Sequence, residues 1–276
     1  MIGAVDIGGT KLLAAVAAGP DAELEALVRR PTPSANPLGT ILTMLDEARR
    51  GRPLEAVCVA VPGPFDRSGA RLLNPPNLPP AWHDLDLGHG LGEPLGCPVL
   101  AENDANCAAL AEARRGAAAG LETVVYLTVS TGVGTGMVAH ERLLTGRQDT
   151  EGGHQVVWPP WLGGPACHCG GAGCLETLVS GLAIERRFGR RPEDLDDPEA
   201  WADVGRWLGV GVVNAIALHD PDAVVLGGGV CAAAARFWPS LLATVETLLH
   251  LQPAPLITLA ALGEERNLYG ALALAT

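Results

Sequence analysis

The chain has 276 residues, and 19 Lys and Arg stand against 31 Asp and Glu, which gives a formal net charge of −12. Hydrophobic residues make up 48% and charged residues 18%, which excludes a disordered chain because disorder needs low hydrophobicity and high charge. The acidic balance argues against a protein that holds nucleic acid through a broadly basic surface, so we expect no nucleic-acid partner.

Strands and helices are predicted to alternate along the chain. Residues 2–17 predict a strand, a glycine turn and a second strand, and residues 124–139 repeat that plan. Further strands are predicted at 56–61, 99–101, 224–226 and 256–259, and helices at 40–50, 105–115, 177–188, 201–218, 232–249 and 267–274. Residues 62–98, rich in Pro and Gly, predict an ordered excursion over one domain. The two similar hairpins indicate a duplicated α/β architecture with a cleft between its halves.

The sequence favours a cytoplasmic protein with no membrane partner. Residues 1–6 carry no basic region, and Asp6 interrupts the apolar run, so no secretory signal is predicted. The chain lacks a run of 18 uncharged apolar residues, which a membrane-spanning helix would need. Its seven cysteines form an odd number, which disfavours a disulfide framework.

Three glycine-rich turns lie at the ends of predicted strands. The first, Asp6-Ile7-Gly8-Gly9-Thr10-Lys11, offers close backbone approach and N–H and hydroxyl donors for a phosphate, and Asp6 could hold Mg²⁺. It also contains Lys11, the only lysine in the chain. The second and third turns are residues 130–136 and Gly227-Gly228-Gly229. Each alone could be a plain turn, but the three together favour a bound nucleotide.

The segment Glu102-Asn103-Asp104-Ala105-Asn106 follows a short predicted strand and opens a predicted helix. Either Asn103 or Asp104 would make a good helix N-cap, which is one interpretation. The other makes Asp104 a general base that accepts a hydroxyl proton, with Asn103 holding neighbouring hydroxyls. The spacing alone leaves both interpretations open.

A cluster of potential metal ligands begins at His154 and continues through Cys167, Cys169 and Cys174. Three thiolates and one imidazole make a tetrahedral zinc site, and the Gly-rich spacer lets the chain wrap around the ion. His168 is the alternative fourth ligand, although its position between two cysteines leaves it little geometric freedom. Four protein ligands would leave no open position, so the zinc is expected to be structural.

Together these motifs resemble the ROK (repressor, open reading frame, kinase) sugar kinases, and the likeness runs nearly end to end. The most specific features are Glu151-Gly152-Gly153-His154 and the cysteine segment 167–176. The likeness also covers residues 6–11, 61–64, 74–78, 102–106, 131–136, 227–229 and 268–271. It implies an α/β fold of the actin-like or hexokinase type (ribonuclease H-like), in which ATP and sugar meet in a cleft between two lobes. We expect a small lobe at 1–117, joined by the C-terminal helix 266–276, and a large lobe at 118–265 that carries the zinc loop.

The resemblance also implies roles for individual residues. Asp104 becomes the catalytic base that also contacts the sugar. The remaining sugar-binding residues become Gly63, Asn103, Glu151, His154 and Glu176, and the zinc ligands become His154, Cys167, Cys169 and Cys174. The nucleotide site is lined by Gly8, Gly9, Thr10, Thr131, Gly132, Gly228 and Gly229, together with Asp6 and Lys11 of the first turn.

Two segments depart from the family pattern. Thr135 stands where the second glycine-rich loop has Gly, and we expect it to narrow the phosphate turn. Glu264-Glu265-Arg266-Asn267 stands before the last helix, where the family has Ala.

The sequence therefore predicts an ATP- and Mg²⁺-dependent kinase that phosphorylates a hexose at its 6-hydroxyl, with glucose as the first expectation. Fructose, mannose or an N-acetylated hexosamine are alternative substrates, and a non-catalytic sugar sensor is disfavoured by Asp104. A homodimer or a dimer-based homo-oligomer is expected from the resemblance. The chain begins on the first predicted strand, so the DNA-binding role of the repressor relatives is not expected.

Overall fold

The computed structural model describes residues 1–275, which form two compact units. The N-terminal unit comprises Met1–Ala111 and the C-terminal segment from Leu262, and the central unit comprises Glu112–Ala261.

The strands are β1 (Ile2–Ile7), β2 (Lys11–Ala17), β3 (Glu25–Pro31), β4 (Ala56–Val61), β5 (Phe65–Asp66), β6 (Arg71–Leu72), β7 (Val99–Asn103), β8 (Thr123–Val129), β9 (Val133–Ala139), β10 (Arg142–Leu143), β11 (Ala223–Gly227) and β12 (Leu256–Leu259). The α-helices are α1 (Pro37–Arg49), α2 (Leu87–Leu95), α3 (Asp104–Arg115), α4 (Glu176–Val179), α5 (Gly181–Phe188), α6 (Pro198–His219), α7 (Ala234–Leu248) and α8 (Arg266–Leu272). Over residues 1–275, every helix is too short or too polar to cross a membrane.

The N-terminal unit is built on a five-stranded sheet in the order β3-β2-β1-β4-β7. β1 and β2 form the predicted antiparallel hairpin, with Ile7 opposite Leu12, whereas β1, β4 and β7 run parallel. Large apolar side chains on one face pack against α1 and α2, and the other face carries small residues such as Ala4, Ala15 and Ala60. Because parallel strands end at the same edge of a sheet, the residues that follow β1, β4 and β7 are brought to one edge.

The central unit repeats this plan with the strand order β10-β9-β8-β11-β12. β8 and β9 form the second predicted hairpin, and β8, β11 and β12 run parallel. Apolar side chains of β8, β9 and β11 pack against α4 to α7 in a core that includes Trp201 and Phe237. The two hairpins and the duplicated α/β plan predicted from the sequence are therefore confirmed.

Several elements differ from the sequence prediction. β3 and α2 were not predicted, and the helix predicted at 177–188 is two helices separated at Ser180, which has extended backbone (φ −67°, ψ 159°) and caps α5 with its side chain. The helix predicted at 201–218 begins earlier, at Pro198, because the Asp197 side chain accepts hydrogen bonds from the first free N–H groups. Apolar periodicity does not register these caps, since a cap is polar and lies at the end of the repeating pattern.

The C-terminal helix α8 packs against the face of the first sheet that carries small side chains. Leu268, Ala271 and Leu272 of α8 are fully buried in one cluster with Ala4 and Cys107. A Cβ placed on Gly270 would overlap the carbonyl oxygen of Cys107 in α3. Close approach of these two helices therefore requires glycine at position 270.

Replacing Gly270 with Ala is expected to destabilise the protein by at least about 2 kcal/mol, because the added methyl group meets a backbone carbonyl that cannot rotate away. The helix-propensity gain of about 1 kcal/mol offsets only part of this cost. Urea denaturation followed by circular dichroism measures the change. The control is Gly19→Ala, since a Cβ there meets nothing within 4 Å. Equal midpoints for the two variants would contradict the packing described here.

Candidate active site

Four predicted residues meet at the carboxyl edge of the first sheet. Asp6 lies near the end of β1, Gly63 follows β4, and Asn103 and Asp104 stand where β7 passes into α3. A Cβ on Gly63 would lie 3.9 Å from Nδ2 of Asn103, so these two residues are neighbours. The edge therefore gathers two carboxylates and an amide from β1 and β7, with Gly63 from the end of β4 beside them.

Asn103 supplies the cap of α3. Its Oδ1 accepts hydrogen bonds from the N–H groups of Ala105 (2.8 Å) and Asn106 (3.3 Å). Asp104 shares the Ala105 N–H through its own Oδ1, at 2.8 Å. Because Asn103 satisfies the helix N-terminus, the capping interpretation does not account for Asp104.

The pKa of Asp104 is raised to about 7. Burial is the main cause, and the nearby carboxylate of Asp6 adds to the rise. Burial likewise raises the pKa of Asp6 to about 6, against the lowering effect of a hydrogen bond that Asn267 Nδ2 donates to Asp6 Oδ1 at 3.1 Å. A carboxylate whose pKa lies near neutrality is suited to take a proton as a general base.

Glu102 organises this edge, and its role was not predicted. It is 4% exposed and accepts two hydrogen bonds from the Arg67 guanidinium, at 2.8 and 2.6 Å. Asn106 Nδ2 and the Asn103 N–H also donate to it, at 2.9 and 2.8 Å. The buried carboxylate thus fixes the end of β7 immediately before Asp104. Asn103 and Asn106 stand next to Glu102 in the same short motif, so their contacts with it could be expected from the sequence. Arg67 lies on the distant β5–β6 hairpin, and nothing in the sequence pattern marks it as a partner of Glu102.

The first glycine-rich turn joins β1 to β2, with Gly9 and Thr10 exposed at its tip. The N–H of Gly8 donates to the carbonyl of Lys11 at 3.0 Å and closes the turn. Lys11 forms an ion pair with Glu264, which also pairs with Arg29. The only lysine of the chain is therefore held at this turn by the acidic segment that precedes α8.

The second and third glycine-rich turns line one cavity of the central unit. This cavity has a volume of about 440 Å³, within the range of ligand pockets, which is roughly 300–1,000 Å³. Thr131 and Gly229 both line it. Gly228 has a φ of +93°, and a Cβ there would overlap the carbonyl of Val129, so the turn after β11 needs glycine. Further lining residues were not predicted. They come from α5, the loop after α5, the turn before α7 and α7 itself, and they include Leu182, Glu185, Arg191, Glu193, Ala233 and Arg236.

Glu176 connects the second turn to the histidines of the central unit. Its Oε2 accepts a hydrogen bond from the N–H of Val133 at 2.9 Å and lies 2.6 Å from where a Cβ on Gly132 would stand. Its Oε1 is 3.1 Å from Nδ1 of His168, and the His168 ring stands edge-on to that of His154 at 5.3 Å. Glu176 therefore lies at the boundary between the turn and the histidine–cysteine segment.

The predicted metal ligands come together in the same unit. One ligand atom from each of His154, Cys167, Cys169 and Cys174 lies within 4.8 Å of the others. Nδ1 of His154 is 3.6 Å from Sγ of Cys167, and Sγ of Cys169 is 3.7 Å from Sγ of Cys174. A tetrahedron with zinc–sulfur bonds of 2.3 Å has edges of about 3.8 Å. The spacing and the soft donor set therefore fit zinc.

His168 takes part in a second grouping, with His154 and Glu176. Its Nδ1 lies 4.0 Å from Sγ of Cys167, but the same nitrogen is nearer to Glu176. The side chain is 72% exposed. This geometry favours His154 over His168 as the fourth ligand of the cysteine cluster.

Comparison with known proteins places these features in a family. The model described as "ROK family" matches residues 2–276. The chain belongs to the ROK family. Among curated ROK relatives, it is 32% identical to the glucokinase of Thermotoga maritima over 82% of this chain and 81% of that protein. It is 34% identical to the N-acetylmannosamine kinase of Escherichia fergusonii, over 91% and 89%.

Solved structures agree with this placement. The ROK hexokinase of Thermus thermophilus has a TM-score of 0.90 and 37% identity, covering 99% of this chain and 97% of that one. A ROK glucokinase of Streptomyces griseus, solved with glucose and AMPPNP, has a TM-score of 0.81 and 29% identity, covering 99% and 98%. The predicted hexokinase-type, actin-like fold is thus confirmed, and the chain is a sugar kinase of the ROK family.

Proposed function

We propose that the protein transfers the γ-phosphoryl group of ATP to the 6-hydroxyl of a hexose, with glucose as its preferred substrate. The observation that carries this proposal is Asp104, a carboxylate with a pKa of about 7 at the carboxyl edge of the first sheet, where Asn103 already caps the helix. Asp104 takes the hydroxyl proton as the sugar oxygen forms its bond to the γ-phosphorus and the bond to ADP breaks. The product is the hexose 6-phosphate.

The cavity of the central unit supports nucleotide binding. Thr131 and Gly229 of the two glycine-rich turns line it, and residues of α5 and α7 give it mixed apolar and charged walls. Backbone N–H groups of such turns are suited to bind phosphate. Mg²⁺, when bound, neutralises charge on the transferred phosphoryl group. Asp6 fits such an ion by its chemistry, because Mg²⁺ prefers carboxylate oxygens and Asn267 fixes the orientation of this carboxylate.

Glu151, His154 and Glu176 are proposed to hold the sugar hydroxyls, with Asn103 and Gly63. His154 presents Nδ1 to Cys167, so its other ring nitrogen points away from the cysteines and is available to a hydroxyl. A structural zinc ion on His154, Cys167, Cys169 and Cys174 would then fix a sugar-binding residue. The expectation of a cytoplasmic homodimer stays a prediction.

A second substrate class is supported by the relatives. N-acetylmannosamine kinase is as similar to this chain as glucokinase is, and its name denotes an N-acetylated hexosamine. A coupled assay for ADP release with glucose, mannose, fructose and the N-acetylhexosamines decides between these substrates. The highest kcat/KM with glucose supports the proposal, and turnover confined to N-acetylated sugars would replace it.

The pH dependence of kcat/KM follows from the pKa of Asp104. A base must be ionised to accept a proton, and the pKa is about 7, so kcat/KM should fall about tenfold per pH unit below that value and level off above it. Initial rates between about pH 5.5 and 9, with circular dichroism to show that the protein stays folded, test this expectation. A flat profile across neutrality would mean that Asp104 is not the base.

A further inference from the structure

Thr135, on β9, is bonded to the segment that contains Glu151. Its hydroxyl donates to the carbonyl oxygen of Thr150 at 2.7 Å and accepts from the N–H of Gly152 at 2.8 Å. In return, the Thr150 hydroxyl donates to the carbonyl oxygen of Thr135 at 3.3 Å. Three hydrogen bonds therefore join one residue of the sheet to both neighbours of Glu151.

The surroundings of this segment make those bonds important. A cavity of about 230 Å³ lies beside it, lined by Thr135, Met137, Glu151 and Gln155 among others. Atoms that border a cavity have fewer protein packing partners on that side. The hydrogen bonds of Thr135 therefore help to fix the position of the segment at Glu151 against β9, and Thr135 itself is only 9% exposed.

We infer that Thr135 is a positioning residue for the sugar-binding carboxylate of Glu151. This inference rests on the proposed function, because it takes Glu151 as a contact of the sugar. It differs from the expectation drawn from the sequence, in which Thr135 narrows the phosphate turn, since the hydroxyl is engaged by residues 150 and 152.

A valine at position 135 keeps the shape of threonine and removes the hydroxyl, whereas a serine keeps the hydroxyl. Thr135→Val is expected to raise KM for the sugar about tenfold, because the Gly152 N–H loses its acceptor. KM for ATP should change less than about twofold, and kcat should fall less than KM rises. Thr135→Ser should restore the sugar KM to nearly that of the wild type. Equal KM values for sugar in all three proteins, or a rise in KM for ATP alone, would overturn the inference.

Hydrogen exchange gives a readout that needs no activity. In the protein without ligands, amides of residues 150–154 should exchange at least about tenfold faster in Thr135→Val than in the wild type or Thr135→Ser. Unchanged exchange would overturn the positioning role even if the wild type phosphorylates glucose. Failure of the wild type to turn over any hexose, together with faster exchange, would instead contradict the proposed function and the sugar-binding part of the inference.

Discussion

Asp104→Asn is expected to lower kcat by about 10²–10⁴-fold, because an amide cannot take the hydroxyl proton. KM for the sugar should change much less, since Asn has the size and shape of Asp and its oxygen can accept the N–H of Ala105 as Asp104 does now. Steady-state rates with glucose and ATP at about pH 8, where Asp104 is ionised, measure the effect. A kcat near that of the wild type would remove Asp104 from the mechanism.

A measurement of stability distinguishes loss of the catalytic base from damage to the fold in this variant. The pKa of Asp104 is raised to about 7 in the folded protein. The charged carboxylate therefore lowers the free energy of unfolding, and it does so most above that pH. A neutral amide avoids that cost, and Asp104→Asn should therefore be as stable as the wild type, or more so, at pH 8. The matched control is Asp46→Asn on α1, an exposed aspartate that pairs with Arg49. This control should leave both kcat and stability nearly unchanged.

Cys169→Ser is expected to abolish most of the zinc content, which should be about one ion per chain in the wild type, because a serine hydroxyl replaces a thiolate ligand. Cys169 is exposed, so the substitution leaves no cavity in a core. Loss of the metal should leave the His154 ring less firmly oriented, so KM for the sugar should rise at least about tenfold. Elemental analysis and sugar kinetics of the same preparation measure both effects.

Cys97→Ser is the control for this prediction, since Cys97 lies outside the metal cluster and is partly exposed. It should keep the zinc content and the sugar KM of the wild type. KM for ATP should be unaffected in both variants, because the cavity of the central unit that we propose for the nucleotide is not lined by the cysteine segment. Full zinc content and an unchanged sugar KM in Cys169→Ser would refute both the metal site and its link to the sugar.

Much of the candidate site follows from local sequence patterns. Asp6 follows the apolar residues 2–5, and Asp104 lies three positions after the apolar residues 99–101. Parallel strands bring such ends to one edge, so the proximity of the two aspartates could be anticipated. The grouping of the cysteines as potential metal ligands could also be predicted from the sequence. Three of them fall within eight residues, and the glycines between them let the chain turn tightly around an ion. For the cysteine segment, a short stretch of chain contains most of the geometric information.

Other features could not be read in this way because they depend on distant partners. Arg67 reaches Glu102 across 35 positions, and Thr135 bonds to residues 15 and 17 positions away. The helices α4 and α5 are separated by one capping serine inside a continuous helical pattern. Arg236 and Glu185 line the same cavity from different helices, and no spacing in the sequence connects them.

The packing of α8 also bears on how the protein is synthesised. The central unit is continuous in sequence, whereas the N-terminal unit needs the segment from Leu262 onward. Until that segment leaves the ribosome, the small-residue face of the first sheet, with Ala4 and Ala15, has no α8 to cover it. Domains usually mature in the order in which they emerge, but here the second unit to be translated can finish folding before the first.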